Sequence, residues 1–268
     1  MVISKDTIRT IDEIAHAAAD AARDAILPYF RSRDLIEDNK AQSGFDPVTE
    51  ADRAAEECIR AIIRDARPED SILGEEFAAY QGTSGLTWVL DPIDGTRGFI
   101  SGTPTWGILI AVSDVDGPFY GLIDQPYIGE RFTGSPYGAQ MSGPHGSGVL
   151  ATRGTQDLSQ ATVFTTFPEV GSEADARAFR AVSNRAKLTR YGMDCYAYAL
   201  LAAGQIDLVI EAGLQPYDIQ APIAVIKAAG GIVTDWEGGS AHNGGRALAA
   251  ANPDIHAQAL SVLQGMRT

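Results

Sequence analysis

The chain has 268 residues, of which 45% are hydrophobic and 21% are charged, proportions that are ordinary for a globular protein. It holds 21 basic and 35 acidic residues, so its formal net charge is −14. This balance disfavours a broad nucleic-acid-binding face or an anionic membrane surface, and we expect neither as a partner. A phosphate ligand would need a local device here, such as metal ions or a helix N-terminus.

The cysteines and the first residues indicate a compartment. Cys58 and Cys195 lie far apart in the sequence, which argues against a disulfide framework. The opening run MVISKDTIRTID lacks the basic-then-apolar pattern of a secretory signal, and no apolar run reaches membrane-spanning length. We therefore expect a cytoplasmic protein.

The first half of the chain predicts two helices followed by short strands. Apolar residues recur at steps of three and four over 6–30 and 50–65, and the polar stretch 31–48 between them predicts a loop. Short apolar runs bounded by Gly and Pro predict strands at 71–73, 86–90, 106–112 and 119–124.

The second half alternates between the two element types. We interpret the stretch 133–149, rich in Gly, Ser and Pro, as a connection between two halves. After it, helices are predicted at 173–186, 194–203, 218–229 and 253–265, and strands near 162–166, 188–191, 206–210, 231–235 and 247–250. The alternation predicts layered α/β structure, with subdomains 1–140 and 141–268 sharing one cleft.

The densest functional signal is the run WVLDPIDGT at 88–96. An apolar strand leads into Asp91 and Asp94, a spacing that can aim both carboxylates at one point. Gly95 lets the backbone approach a ligand closely. Converging carboxylates repel each other and need a shared proton or cation, and Mg²⁺ prefers oxygen ligands while leaving positions open for phosphate. On spacing alone, a type I turn after a strand explains the run equally well.

Three further acidic segments have simpler explanations when each is taken alone. Glu75 follows a short strand, where acids are usually solvated. Asp218 begins a predicted helix, where aspartate commonly caps. Thr49 and Asp52 fit a capping box.

Several other kinds of site are disfavoured. Aspartyl-phosphate phosphatases have two aspartates one residue apart, whereas Asp91 and Asp94 are two residues apart. The phosphate-binding loop of nucleoside triphosphatases is missing from the sequence, and the four histidines show no metal-ligand spacing.

Taken together, four segments resemble the inositol-monophosphatase family of metal-dependent, lithium-sensitive phosphatases. They are DPVTEAD at 46–52, GEE at 74–76, DPIDGT at 91–96, and YD at 217–218 with its apolar helix and the AGG at 229–231. The resemblance implies an αβαβα sandwich, a homodimer, a small phosphate monoester as substrate, and inhibition by Li⁺.

The resemblance also implies residue roles. Two or three Mg²⁺ ions would be bound by Glu75, Asp91, the carbonyl of Ile93, Asp94 and Asp218. Thr96 and Asp52 would orient a metal-activated water, and Glu75 counts with them as catalytic. The backbone N–H groups of Gly95 and Thr96 would hold the phosphate.

Within the family, three runs resemble bacterial histidinol-phosphate phosphatases: RGFISGTP at 97–104, RYGMDCYAY at 190–198 and LQPYD at 214–218. They favour hydrolysis of L-histidinol phosphate to L-histidinol and phosphate, in histidine synthesis. This substrate carries an imidazole and an ammonium, which require acids in the pocket.

The substrate-binding residues implied by that choice are Asp94, Asp194, Glu211 and Arg190. Helix capping by Asp194, a solvated strand end at Glu211 and a surface salt bridge at Arg190 stay open as simpler explanations. The alternative substrates are inositol 1-phosphate, another sugar phosphate or a 3′-phosphonucleotide. A non-catalytic phosphate- or metal-binding regulator on the same fold is the alternative from another class.

Overall fold

The computed structural model describes residues 3–33, 37–39 and 47–266. The helices of the described chain are α1 Lys5–Ile26, α2 Glu50–Ala66, α3 Thr96–Ile100, α4 Glu173–Ser183, α5 Tyr196–Ala202, α6 Pro216–Ala228 and α7 Pro253–Gly265, with a 3₁₀ turn at Leu158–Gln160. The strands are β1 Glu37–Asn39, β2 Pro47–Thr49, β3 Ser71–Gly74, β4 Thr87–Asp94, β5 Gly107–Asp114, β6 Gly117–Gln125, β7 Glu130–Ser135, β8 Gly138–Gly143, β9 Gly146–Val149, β10 Thr162–Thr165, β11 Leu188–Tyr191, β12 Leu208–Leu214, β13 Ile232–Thr234 and β14 Gly245–Ala250.

Two large sheets organise the chain. The first has seven strands in the order β3-β4-β5-β6-β7-β8-β9, and every neighbouring pair except the parallel β3–β4 is antiparallel. The second has five strands in the order β11-β10-β12-β14-β13, with parallel pairs on the β11 side and antiparallel pairs at β14. β1 and β2 form a separate antiparallel pair.

Alternating side chains of the first sheet face two different hydrophobic clusters. Trp88 and Ile108 pack with α1 and α2 on one face. Val89 and Leu109 pack with α5 and α6 on the other, in a cluster that also includes side chains of the five-stranded sheet. α4 and α7 cover the far face of that second sheet. The layer order is therefore αβαβα, which confirms the predicted fold class.

α6 packs unusually close to the first sheet. A Cβ atom on Gly121 of β6 would lie 2.4 Å from the carbonyl oxygen of Ala221, and one on Gly134 of β7 would lie 2.4 Å from Cα of Val225. Any side chain at either position would collide with the helix backbone. These glycines therefore set the distance between α6 and the sheet.

The interpretation of 133–149 as a connection is wrong, because β7, β8 and β9 run through it and extend the first sheet. β9 is exposed along its length, so its Gly and Ser residues need no apolar alternation. The proposed subdomain boundary after residue 140 falls inside β8, and the division into subdomains stays a prediction.

The predicted loop 31–48 includes all of β1 and the first residues of β2. The rest of that prediction, at 34–36 and 40–46, lies outside the described residues. Within the described chain, no helix is both long and apolar enough to cross a membrane.

Candidate active site

β4 positions the first two carboxylates at its C-terminal end. In a regular strand, residues three apart face opposite sides of the sheet, but the pairing of β4 with β5 shifts register between Asp91 and Asp94. Asp91 is buried, and its Oδ1 accepts a hydrogen bond of 3.1 Å from the N–H of Ile93. The irregularity lets both side chains approach one point.

The third carboxylate comes from the first turn of α6. Asp218 is the third residue of that helix, and its Oδ2 accepts a 2.7 Å hydrogen bond from the N–H of Gln215. It takes part in a capping box and is not the N-cap residue itself. One carboxylate oxygen each of Asp91, Asp94 and Asp218 lies within 4.8 Å of the others.

Burial and the concentration of negative charge raise the pKa values of two members of this cluster. Burial, followed by the charges of Glu75, Asp94 and Asp218, raises the pKa of Asp91 well above its usual range. Burial and the charges of Asp218 and Asp194 likewise raise the pKa of Asp94. The cluster is stable only when a proton or a cation offsets this repulsion.

Asp94 also connects the first sheet to the second half of the chain. Its Oδ2 accepts a 2.7 Å hydrogen bond from the backbone N–H of Cys195, which precedes α5. A main-chain donor more than a hundred residues away thus holds one of the three converging carboxylates.

Asp52 and Thr96, the predicted water-orienting pair, have separate partners. The capping box of α2 is present: Oδ2 of Asp52 accepts from the N–H of Thr49 at 2.8 Å and from its hydroxyl at 2.6 Å. Oδ1 is buried and has no hydrogen-bond partner. Burial, partly offset by Thr49, raises the pKa of Asp52 to about 6. The Thr96 hydroxyl donates to the carbonyl of Ile93 at 3.2 Å, so the described hydrogen bonds do not join Thr96 to Asp52.

A cleft of about 280 Å³ opens beside the carboxylates. Its lining includes predicted metal, phosphate and substrate residues together: Asp94, Gly95, Thr96, Asp194, Glu211 and Asp218. Arg190 does not join them, because it lies exposed on the edge strand β11, outside the lining of this cleft. A larger cavity, of about 520 Å³, lies between α1 and β7–β8 and includes none of the three converging carboxylates in its lining.

The simpler explanations for Asp194 and Glu211 are both wrong. Asp194 does not cap α5; its backbone is left-handed, at φ 47°, and its Oδ2 accepts from the Thr105 hydroxyl at 2.9 Å. Glu211 is buried, and it accepts from the N–H of Thr166 at 2.7 Å and from the hydroxyls of Thr165 and Thr166. Burial, partly offset by these donors, raises the pKa of Glu211 to about 7.

Sequence reasoning missed other residues at the cleft. Tyr198 lies in its lining, and the buried hydroxyl of this tyrosine has no hydrogen-bond partner. Phe167 also lines it, and the centre of its phenyl ring lies 5.0 Å from the guanidinium carbon of Arg97, a lining residue that the sequence had already offered as a candidate for steering phosphate. The sequence shows the local segments that contain these residues. It does not show which side chains from separate segments line the same cleft.

A model of the inositol monophosphatase family matches residues 7–267. The chain belongs to the inositol monophosphatase family. This confirms the resemblance drawn from the four acidic segments, and it makes the chain a member of a family of metal-dependent phosphatases that act on phosphate monoesters.

Relatives within the inositol monophosphatase family include histidinol-phosphatases. The chain is 42% identical over 263 residues to the bifunctional phosphatase IMPL2, chloroplastic, of Arabidopsis thaliana, covering 94% of this chain and 74% of that protein. It is 34% identical over 259 residues to the histidinol-phosphatase of Streptomyces coelicolor, covering 93% and 95% of the two chains. The solved structure of an inositol monophosphatase from Zymomonas mobilis superposes with a TM-score of 0.85 at 37% identity, covering 98% of this chain and 100% of that one.

Proposed function

We propose that the chain hydrolyses phosphate monoesters with bound Mg²⁺, and that its preferred substrate is L-histidinol phosphate. The observation that carries the proposal is the convergence of Asp91, Asp94 and Asp218 beside a cleft. Asp94 and Asp218 line this cleft together with two further acids, Asp194 and Glu211. The first set suits divalent cations, and the second suits a cationic alcohol.

The residues present fit Mg²⁺. Carboxylate oxygens are the ligands this ion prefers. Burial, and after it the charges of neighbouring acids, raises the pKa values of Asp91 and Asp94, and a bound cation would offset both effects. We assign its ligands to Glu75, Asp91, the carbonyl of Ile93, Asp94 and Asp218. When bound, the ions neutralise phosphate charge, make water a stronger nucleophile and stabilise the leaving oxygen.

The chain's own groups position the reactants. The N–H groups of Gly95 and Thr96, where the backbone turns from β4 into α3, hold phosphate oxygens in this proposal. Oδ1 of Asp52 lacks a protein partner and can accept a proton from the attacking water. The Thr96 hydroxyl has to leave the Ile93 carbonyl to bond that water.

The residues around the cleft can discriminate between phosphate esters by the charge of their alcohol part. Asp194 and Glu211 line the cleft beside the carboxylate cluster, so an ammonium or imidazolium group in it would face two acids. An inositol phosphate is the second candidate, because hydroxyl groups also bond carboxylates and the structural relative from Zymomonas mobilis is an inositol monophosphatase. The name of the relative from Streptomyces coelicolor, histidinol-phosphatase, supports the first candidate.

A substrate panel with the purified protein tests the proposal. We expect Mg²⁺-dependent phosphate release, with kcat/KM for L-histidinol phosphate exceeding that for inositol 1-phosphate by about tenfold or more. Asp91→Asn should lower kcat by several orders of magnitude and leave the circular dichroism spectrum intact. Asp24→Asn, which changes an exposed carboxylate on α1, is the matched control and should retain activity.

Three outcomes would contradict parts of the proposal. Near-wild-type turnover by Asp91→Asn would show that Asp91 is not a metal ligand needed for catalysis. A higher kcat/KM for inositol 1-phosphate than for L-histidinol phosphate would make inositol 1-phosphate the preferred substrate. No hydrolysis of any monoester would favour the non-catalytic regulator. The homodimer and the cytoplasmic location stay predictions.

A further inference from the structure

Asp194 is held in a backbone conformation that non-glycine residues rarely adopt. Its φ of 47° lies in the left-handed region. Such conformations cost on the order of 1 kcal/mol or more and persist where surrounding contacts impose them. The contact that holds Asp194 in this conformation is a hydrogen bond of 2.9 Å from the Thr105 hydroxyl to Oδ2 of Asp194. The two residues are 89 positions apart in the sequence.

Gly98 provides the space for this carboxylate. A Cβ atom on Gly98, in the middle of α3, would lie 2.9 Å from Oδ2 of Asp194, 3.0 Å from the Thr103 hydroxyl oxygen and 3.2 Å from the Thr105 hydroxyl oxygen. The Asp194 carboxylate and its donor therefore occupy the volume of a missing side chain. We call Gly98 and Thr105 the carboxylate seat.

The carboxylate seat lies next to the phosphate-binding backbone. A Cβ atom on Gly95 would lie 2.6 Å from Cγ of Asp194, so the same carboxyl group packs against the turn between β4 and α3. Asp194 also lines the cleft, whereas Gly98 and Thr105 are not part of its lining. They act on any bound molecule only through Asp194.

We propose that Gly98 and Thr105 are positioning residues that fix the Asp194 carboxylate and thereby select phosphate monoesters whose alcohol part is positively charged. The proposal rests on the proposed function and deepens it. A carboxylate already ordered in the free protein loses little conformational freedom when a cationic group binds, so its attraction contributes more fully to binding. A carboxylate released from the seat would rotate and discriminate less.

The kinetic test replaces Thr105 while keeping its shape or its hydroxyl. Thr105→Val removes the donor, and Thr105→Ser retains it. For each variant we compare kcat/KM for L-histidinol phosphate with kcat/KM for glycerol 2-phosphate, whose alcohol is neutral. We expect the ratio to fall about tenfold in Thr105→Val, chiefly through KM, and to stay within about twofold in Thr105→Ser, since a hydrogen bond to a charged group is lost only in the first.

A double variant tests whether the effect passes through Asp194. Asp194→Ala should lower the same ratio, and adding Thr105→Val should lower it no further. A ratio unchanged in Thr105→Val, or an equal loss in Thr105→Ser, would overturn the proposal. Thr10→Val, on the exposed part of α1, is the matched control for the Thr-to-Val change.

Thermal unfolding tests the carboxylate seat without any substrate. Gly98→Ala should lower the Tm of the wild-type chain and lower it less in the Asp194→Ala background, because the nearest of the three oxygens that the new methyl group would meet is then gone. If the decreases in Tm caused by Gly98→Ala and Asp194→Ala were simply additive, the claim that Gly98 provides the space for the Asp194 carboxylate would be wrong, even if the enzyme hydrolyses both esters. Failure of the wild-type enzyme to hydrolyse either ester would overturn the proposed function and the selection with it, but leave the unfolding result standing.

Discussion

Glu211 is a buried acid held by donors from a neighbouring strand and the residue after it. It lies on β12, and its oxygens accept from Thr165 of β10 and from the N–H and hydroxyl of Thr166. Burial outweighs these donors, which is why the pKa of Glu211 rises to about 7. Because this one carboxylate titrates near pH 7 in the folded chain, the free energy of unfolding depends on pH in the neutral range.

This coupling has a definite sign. The pKa of Glu211 is higher in the folded chain than the ordinary value of 4.5, so between those values the folded state binds more protons than the unfolded state. Its contribution is therefore largest at acid pH and is lost as pH rises toward 7. We expect the free energy of unfolding of Glu211→Gln to gain about 2 kcal/mol relative to wild type between pH 5 and pH 8.

Urea denaturation in a chelating buffer at the two pH values measures this difference. Glu57→Gln, which changes an exposed acid on α2, should show the wild-type pH dependence. A difference between Glu211→Gln and wild type that does not vary with pH would show that Glu211 titrates near its ordinary range in the folded chain.

Among the elements, α6 both completes the carboxylate cluster and packs directly against the first sheet. Gly121 and Gly134 allow the helix backbone to approach β6 and β7, and Asp218 stands in its first turn. A displacement of the helix would therefore move one of the three carboxylates.

We expect Gly134→Ala to destabilise the fold by about 1–3 kcal/mol through overpacking. Because α6 must shift to admit the methyl group, the Mg²⁺ concentration for half-maximal activity should also rise. Gly148→Ala is the matched control, since a Cβ atom there meets nothing within 4 Å. Destabilisation without a change in Mg²⁺ dependence would separate the packing of α6 from the geometry of the site.

The helices and strands that could be predicted from the sequence are those whose apolar residues recur with a clear helical or strand pattern. α1 and α2 follow from their apolar spacing, and the strand before Asp91 follows from the apolar run at 88–90. β8 and β9 lack so strong a pattern, and backbone pairing holds them in the sheet: β8 pairs with β7 and β9, and the edge strand β9 pairs with β8. α3 is too short for a periodic signal.

The same distinction applies to the site. The converging aspartates could be anticipated because each sits in a recognisable segment. The partner of Asp194 could not, because Thr105 is distant in sequence and the left-handed turn is dictated by tertiary contacts. The position of Arg190 on an exposed edge likewise depends on sheet order, which local sequence does not encode.

At the scale of the whole molecule, the carboxylates connect layers that are far apart in the chain. Asp91 and Asp94 belong to the first sheet, Asp218 to the helical layer behind it, and Glu211 to the second sheet. A cation bound by Asp91, Asp94 and Asp218 holds the first sheet and α6 together and stabilises the folded state by mass action.

We therefore expect Mg²⁺ to raise the Tm. At about 100 times its Kd, one bound ion adds about 2.7 kcal/mol, or about 5–10 °C for a chain of this size. Asp94→Asn should reduce the shift, and Asp24→Asn should preserve it. A Tm independent of Mg²⁺ up to tens of millimolar, measured by calorimetry, would contradict a cation site assembled from separate layers.

The hydrogen bond from the N–H of Cys195 to Asp94 has an evolutionary consequence. Every amino acid except proline carries this donor, so the anchor of Asp94 does not depend on the chemistry of the side chain at residue 195. The wall of the cleft can thus accumulate new side chains, and new substrate preferences, while the hydrolytic machinery is inherited unchanged.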